Sequence, residues 1–137
     1  AEWCTRHGIN LIIGGHPHVV QPIEIKKDST TGAIAELTAY SLGNLVSNQR
    51  WRYADGGILL RLEITHTNSG SADFGVSYIP VWVHTPVEDG RKQYVILPPH
   101  AADSLLEAGS SARKQYYTFI TDTRQLLDPV GEFTERN

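Results

Sequence analysis

From Gly56 onward the chain alternates: Ile58, Leu60, Leu62 and Ile64 fall on one side, Arg61, Glu63 and Thr65 on the other. Successive side chains of an extended strand point to opposite faces. The stretch therefore reads as a half-buried antiparallel strand, with one face on a core and one in water. Such a strand needs a neighbour to pair with, and the sequence supplies one. Asn68-Ser69-Gly70-Ser71 turns the chain, and residues 75–87 read as a long partner strand in which Ile79, Val81 and Val83 oppose Tyr78 and Trp82. Glu88-Asp89-Gly90-Arg91 turns it again into a short strand over 93–97.

The flanking segments extend this frame. Residues 1–8 look like the last turns of a helix closed by Gly8. Residues 10–14 read as a short buried strand, apolar on both faces as parallel strands tend to be. Residues 19–27 alternate less cleanly, and Pro22 argues for an edge. The turn cluster 28–32 and a strand over 33–42 complete a hairpin. After Pro98-Pro99 the character changes to helix: a short one over 103–108 stopped by Gly109, then one capped by Ser110 or Ser111 and running to about Leu127. Tyr116, Phe119, Ile120 and Leu127 repeat there at helical spacing and read as core contacts.

The 137 residues make one domain's worth of chain. We expect a single domain over 1–137, of α+β class, with a largely antiparallel or mixed sheet, flanking helices and a helical tail over 98–137. No internal repeat is visible. A net charge of −3 without long runs of either sign leaves no nucleic-acid footprint. The single cysteine, Cys4, excludes an internal disulfide and a Cys-rich zinc framework. No apolar run approaches the roughly 20 residues that a membrane span needs. The chain has no methionine, so it reads as a fragment starting inside a larger protein.

Chemistry concentrates after the first strand, in Gly14-Gly15-His16-Pro17-His18. Imidazoles two residues apart in extended chain converge on one pocket. Pro17 stiffens the link, and the glycines let backbone pass close by. Neutral imidazole is the commonest side-chain metal ligand, so His16 and His18 are candidate metal ligands. His7, His66, His84 and His100 have no carboxylate or cysteine at ligand spacing and read as structural or exposed. Ser41 has no candidate base near it in sequence, which weakens a serine-nucleophile reading. A cupin motif also contains His-x-His, but Glu24 stands about one residue too far along and the second cupin block is missing.

Three blocks carry a more specific resemblance. Residues 11–24, LIIGGHPHVVQPIE, resemble the C-terminal signature of the bacterial capsule-synthesis (CapA) family, the poly-γ-glutamate synthesis proteins. Tyr40-Ser41-Leu42-Gly43-Asn44-Leu45 resembles that family's second block, with Leu45 in place of a phenylalanine. Gly56-Gly57-Ile58-Leu59-Leu60 is similar to the segment that follows. Together these cover about the first 65 residues.

That family is in turn similar to the calcineurin-like metallophosphoesterases. The resemblance implies the C-terminal half of an α/β sandwich with a two-metal site, to which Gly15-His16-Pro17-His18 would give one histidine per ion. Two adjacent ions about 3.5–4 Å apart clamp a phosphoryl group and share a hydroxide nucleophile. Ser41, Asn44 and Asn48 are candidates to orient the ligating imidazoles, and Trp51 and Tyr53, beside Arg50 and Arg52, to rim the pocket. The implied cofactors are divalent manganese, iron or zinc.

The superfamily's other ligand blocks, Asp-x-His, Gly-Asp and Gly-Asn-His, are absent from the fifteen residues before His16. Two histidines do not fill a two-metal site, so the resemblance implies an active hydrolase only together with an N-terminal half. It further implies a role in making or exporting an anionic surface polymer, a polymer or phosphoester substrate, and a cell-surface or membrane-associated location. Self-association is a further option. The alternatives are a non-catalytic assembly or polymer-binding subunit, and a structural domain without metal.

Overall fold

The computed structural model describes residues 1–66 and 72–134. In chain order its elements are α1 (Glu2–Arg6), β1 (Leu11–Ile13), β2 (Ile23–Lys27), β3 (Ile34–Ala39), β4 (Gly56–His66), β5 (Ala72–His84), β6 (Val87–Glu88), β7 (Arg91–Lys92), β8 (Val95–Leu97), α2 (Ala102–Leu105), α3 (Ser111–Leu127) and β9 (Gly131–Glu132). The class is mixed α+β, as the pattern predicts.

The alternating stretch is β4, paired antiparallel to β5 from Gly56 opposite Trp82 to His66 opposite Ala72. The turn expected over 68–71 lies outside the described residues. β5 continues past β4's start to pair with β8 and, further back, in parallel with β9. Asp89 and Gly90, both with positive φ, close the tight β6–β7 hairpin. A second sheet has the order β1-β3-β2, with β1 parallel and β2 antiparallel to β3. The β2–β3 turn is held by Asp28, whose Oδ1 accepts from the Thr30 and Thr31 amides and the Thr31 hydroxyl. Those bonds, the Thr31 amide first, keep the Asp28 carboxyl below its ordinary range.

The core lies between the β4–β5 ladder and α3. Ile58, Tyr78 and Trp82 meet Tyr116, Phe119, Ile120 and Leu127, with Val20, Leu97 and Leu106 closing the edges. Each large apolar side chain buried here contributes about 1.5–3 kcal/mol. The helical spacing read from the sequence is thus a core face. α3 begins where expected: the Ser110 side chain accepts from the Arg113 amide. At the other end, the Phe133 amide donates to Tyr78 O and ties the segment after α3 to β5.

Two features differ from expectation. β1 is not buried on both faces; Ile13 is 51% exposed, so among the described residues the face that carries it is left largely uncovered. β5 does not divide cleanly into an inner and an outer face near its end: Val81, Trp82 and Val83 are all buried.

Candidate functional site

The loop that carries the histidines leaves β1 as a turn and not as extended chain. His18 has φ 60°, in the left-handed region that few non-glycine residues enter. The two imidazoles are therefore set by turn geometry and by what grips His18, instead of by a strand's period of two. Of the paired glycines, Gly14 lies against the Tyr40 backbone, while the space around Gly15 is open.

The grip comes from Asn44. Its Oδ1 lies 2.9 Å from His18 Nδ1, and its Nδ2 shares its two hydrogens among three acceptors, His18 O at 3.1 Å, Gln49 Oε1 at 2.9 Å and Ala54 O at 2.8 Å. Two of these acceptors are backbone carbonyls, which accept only. They fix which end of the carboxamide is nitrogen, so Oδ1 must face the imidazole. His18 Nδ1 then carries a proton and donates to Asn44, so that in the neutral ring the lone pair lies on Nε2. This is the tautomer a ligand or a proton acceptor requires. His16 is exposed and has no hydrogen-bond partner among the described residues.

Asn44 reaches this position through a backbone crossing. The Asn44 amide donates to Gly56 O and the Ile58 amide to Leu42 O, both at 2.9 Å. A Cβ on Gly57 would sit 2.7 Å from Leu42 O and within 2.9 Å of the Asn44 backbone, so the crossing closes only over glycine. The histidine loop, the 40–44 segment and the start of β4 are the three blocks singled out by resemblance, and they meet here.

The remaining candidates separate. Ser41 is fully buried, and its Oγ accepts from the Gly43 amide, which shapes the turn beneath Asn44. Asn48 turns away and accepts from Lys92 Nζ at 2.9 Å. Tyr53, at φ 74°, lines a cavity of about 590 Å³ with Val19, Val20, Phe119, Asp122 and Leu126. Trp51 stands 57% exposed and does not line that cavity. Arg52 bridges to Asp122 at 2.8 Å.

Two contributors escaped the sequence reading. Asp55 is a buried carboxylate whose Oδ2 accepts from Trp82 Nε1 at 2.6 Å, while Arg50 donates to Val83 O and lies over the same indole. α3 supplies the far wall of the cavity through Phe119, Asp122, Thr123 and Leu126, whose i, i+3, i+4, i+7 spacing was a readable signal. Among the described residues, no three His, Cys, Asp or Glu side chains converge as a metal-ligand group. Of the other histidines, His7 packs on Trp3 and bonds its carbonyl, and His84 stacks on Trp82.

No solved structure matches the chain. Over 100 residues, 71% of its length, it is 31% identical to the PGA biosynthesis protein CapA of Bacillus subtilis (strain 168), and it spans 24% of that relative. Residues 1–49, which hold the histidine loop and Asn44, match the model of the bacterial capsule synthesis protein PGA_cap. Over these residues the chain is thus similar to the bacterial capsule synthesis PGA_cap family.

Proposed function

We propose that this chain contributes the histidine-bearing part of a metal-dependent hydrolase acting in capsule or poly-γ-glutamate biosynthesis or export, built as the C-terminal half of a metallophosphoesterase-like sandwich. The observation that carries the reading is the Asn44–His18 pair: an exposed imidazole whose Nδ1 is turned to Asn44 Oδ1, which directs Nε2 away from that contact. His18 and His16 would hold a divalent manganese, iron or zinc ion. As two donors they fit part of a ligand set, and the remaining donors must come from outside the described residues. Such an ion, when bound, polarises a phosphoryl or acyl centre toward attack. What this chain does is orient: Asn44 fixes the His18 ring, while Tyr53 and the α3 wall bound a cavity next to Val19 for the body of a substrate.

Elemental analysis tests this on the protein expressed from its intact gene and purified after manganese, iron and zinc are supplied. About two ions per chain in the wild type, lost in H16A/H18A, and hydrolysis of a phosphoester are the expected results. Equal metal content in variant and wild type would overturn the ligand assignment. The second reading, a non-catalytic assembly or polymer-binding subunit, is favoured by the missing third donor among the described residues. Metal binding without turnover of any phosphoester would select it.

A further inference from the structure

The outer edge of β4 is paired over its first turns of ladder and then left open. Odd-numbered positions face β5, as the Val83 amide does in donating to Asp55 O, whereas Gly56 and Ile58 bond outward to the 42–44 segment. In an antiparallel strand the N–H and C=O of one residue point to the same side. Leu60, Leu62 and Ile64 therefore aim their backbone groups outward, beyond the point where the 42–44 segment has left. Among the described residues no strand or loop bonds to them.

The side chains on this edge complement themselves. Leu60, Leu62 and Ile64 share one face, with Ile64 54% exposed. Arg61 and Glu63 share the other and are ion-paired with each other at the surface. Two copies laid antiparallel with Leu62 at the axis set Leu60 opposite Ile64 and Arg61 opposite Glu63 in both halves. Leu60, Leu62 and Ile64 then fall in hydrogen-bonded pairs, each exchanging two N–H···O bonds. Centring on Leu60 instead puts Arg61 opposite Leu59, and centring on Ile64 puts Glu63 opposite Thr65. Only the Leu62 register matches the charges.

We infer that β4 is a self-association edge through which two copies of this chain pair about a two-fold axis and continue one sheet across both. The interface is isologous and closes on itself, so it stops at two copies instead of growing into a fibre. The opposed charges select the register and the partner, and the apolar row covers itself.

Sedimentation velocity over a concentration series tests this, with three variants at exposed positions whose folding is checked by circular dichroism. The wild type should show a concentration-dependent dimer. R61E and E63R each set like charges opposite one another in both halves, and should weaken dimerisation about tenfold or more. R61E/E63R exchanges the signs and should restore it. A monomer at every concentration overturns the inference. So does a dimer indifferent to the single reversals, or one that the double reversal fails to recover.

Discussion

Asn44 holds His18 at both ends, accepting from ring Nδ1 through Oδ1 and donating to the His18 carbonyl through Nδ2. One carboxamide thereby fixes the imidazole's tautomer and anchors the backbone of a residue in the left-handed region. Asn44→Ala removes both contacts and strands Ala54 O, a buried acceptor, at a cost of about 1–3 kcal/mol. The ring nitrogens of His18 should then lose their preference for the Nδ1–H form. Nitrogen NMR of the imidazole reads this directly, and an unchanged tautomer in the variant would contradict the assignment. Where metal binds, the same variant should lower affinity about 10–100-fold.

Gly57→Ala tests the crossing that delivers Asn44. Its Cβ would meet backbone atoms of Leu42 and Asn44 at 2.7–2.9 Å, and backbone yields less readily than a side chain. Overpacking of this kind costs about 1–3 kcal/mol. Urea denaturation should show that loss, and the His18 imidazole signals should shift with it, because the displacement passes to Asn44. A stability loss with His18 signals unmoved would disconnect the crossing from the loop.

Asp55→Ala should destabilise by about 1–3 kcal/mol, since it leaves the buried Trp82 indole N–H without its acceptor. Asp55→Asn, which keeps an oxygen there, should cost less. Equal losses in the two variants, measured by denaturant midpoint at constant slope, would mean that the charge and not the hydrogen bond matters.

Burial, and then the charge of Arg50, hold the His84 imidazole below its ordinary value of 6.5. The folded chain therefore takes up its His84 proton at lower pH than the unfolded chain does. Between the two values the unfolded state binds more protons, so stability falls as pH drops through the window beginning near 6.5. His84→Gln should flatten this part of the stability profile. Thermal melts from pH 7 downward check it, and an identical slope in the variant would remove His84 as the cause.

Phe119 packs at the junction of α3, Gly56 and the cavity beside Val19. Phe119→Ala should cost about 3–5 kcal/mol and enlarge that cavity. A loss below about 1 kcal/mol in denaturant unfolding would show that the site collapses freely around the deletion.

Periodic and punctuated segments were legible in the sequence. The alternation of residues 58–64 gave β4, and Gly109 with Ser110 marked the start of α3. Tyr116, Phe119, Ile120 and Leu127 were identified as core because helical spacing forces them onto one face. The histidine loop and Asn44 were legible as residue types, but their arrangement was not: a positive φ at His18 depends on a bond 26 positions away in sequence. Asp55 was missed because Ala54 and Gly56 make it look like a turn residue, and only the fold brings Trp82 to it. The exposure of Ile13 was missed for a similar reason, since an apolar run does not reveal whether another layer packs on that face of the sheet.

Val81, Trp82 and Val83 lie buried: β4 pairs with the first two and β8 with the last two, and the Val83 amide donates to Asp55 O. Their amide protons should exchange with solvent only when the whole molecule opens, whereas Leu45 and Val46, exposed just beyond Asn44, sit where opening costs little. Asn44 stands at the border between the two regimes. The grip on His18 should therefore open at a free energy between those of the two regimes, which hydrogen exchange at the Asn44 amide, bonded to Gly56 O, reads against Val81.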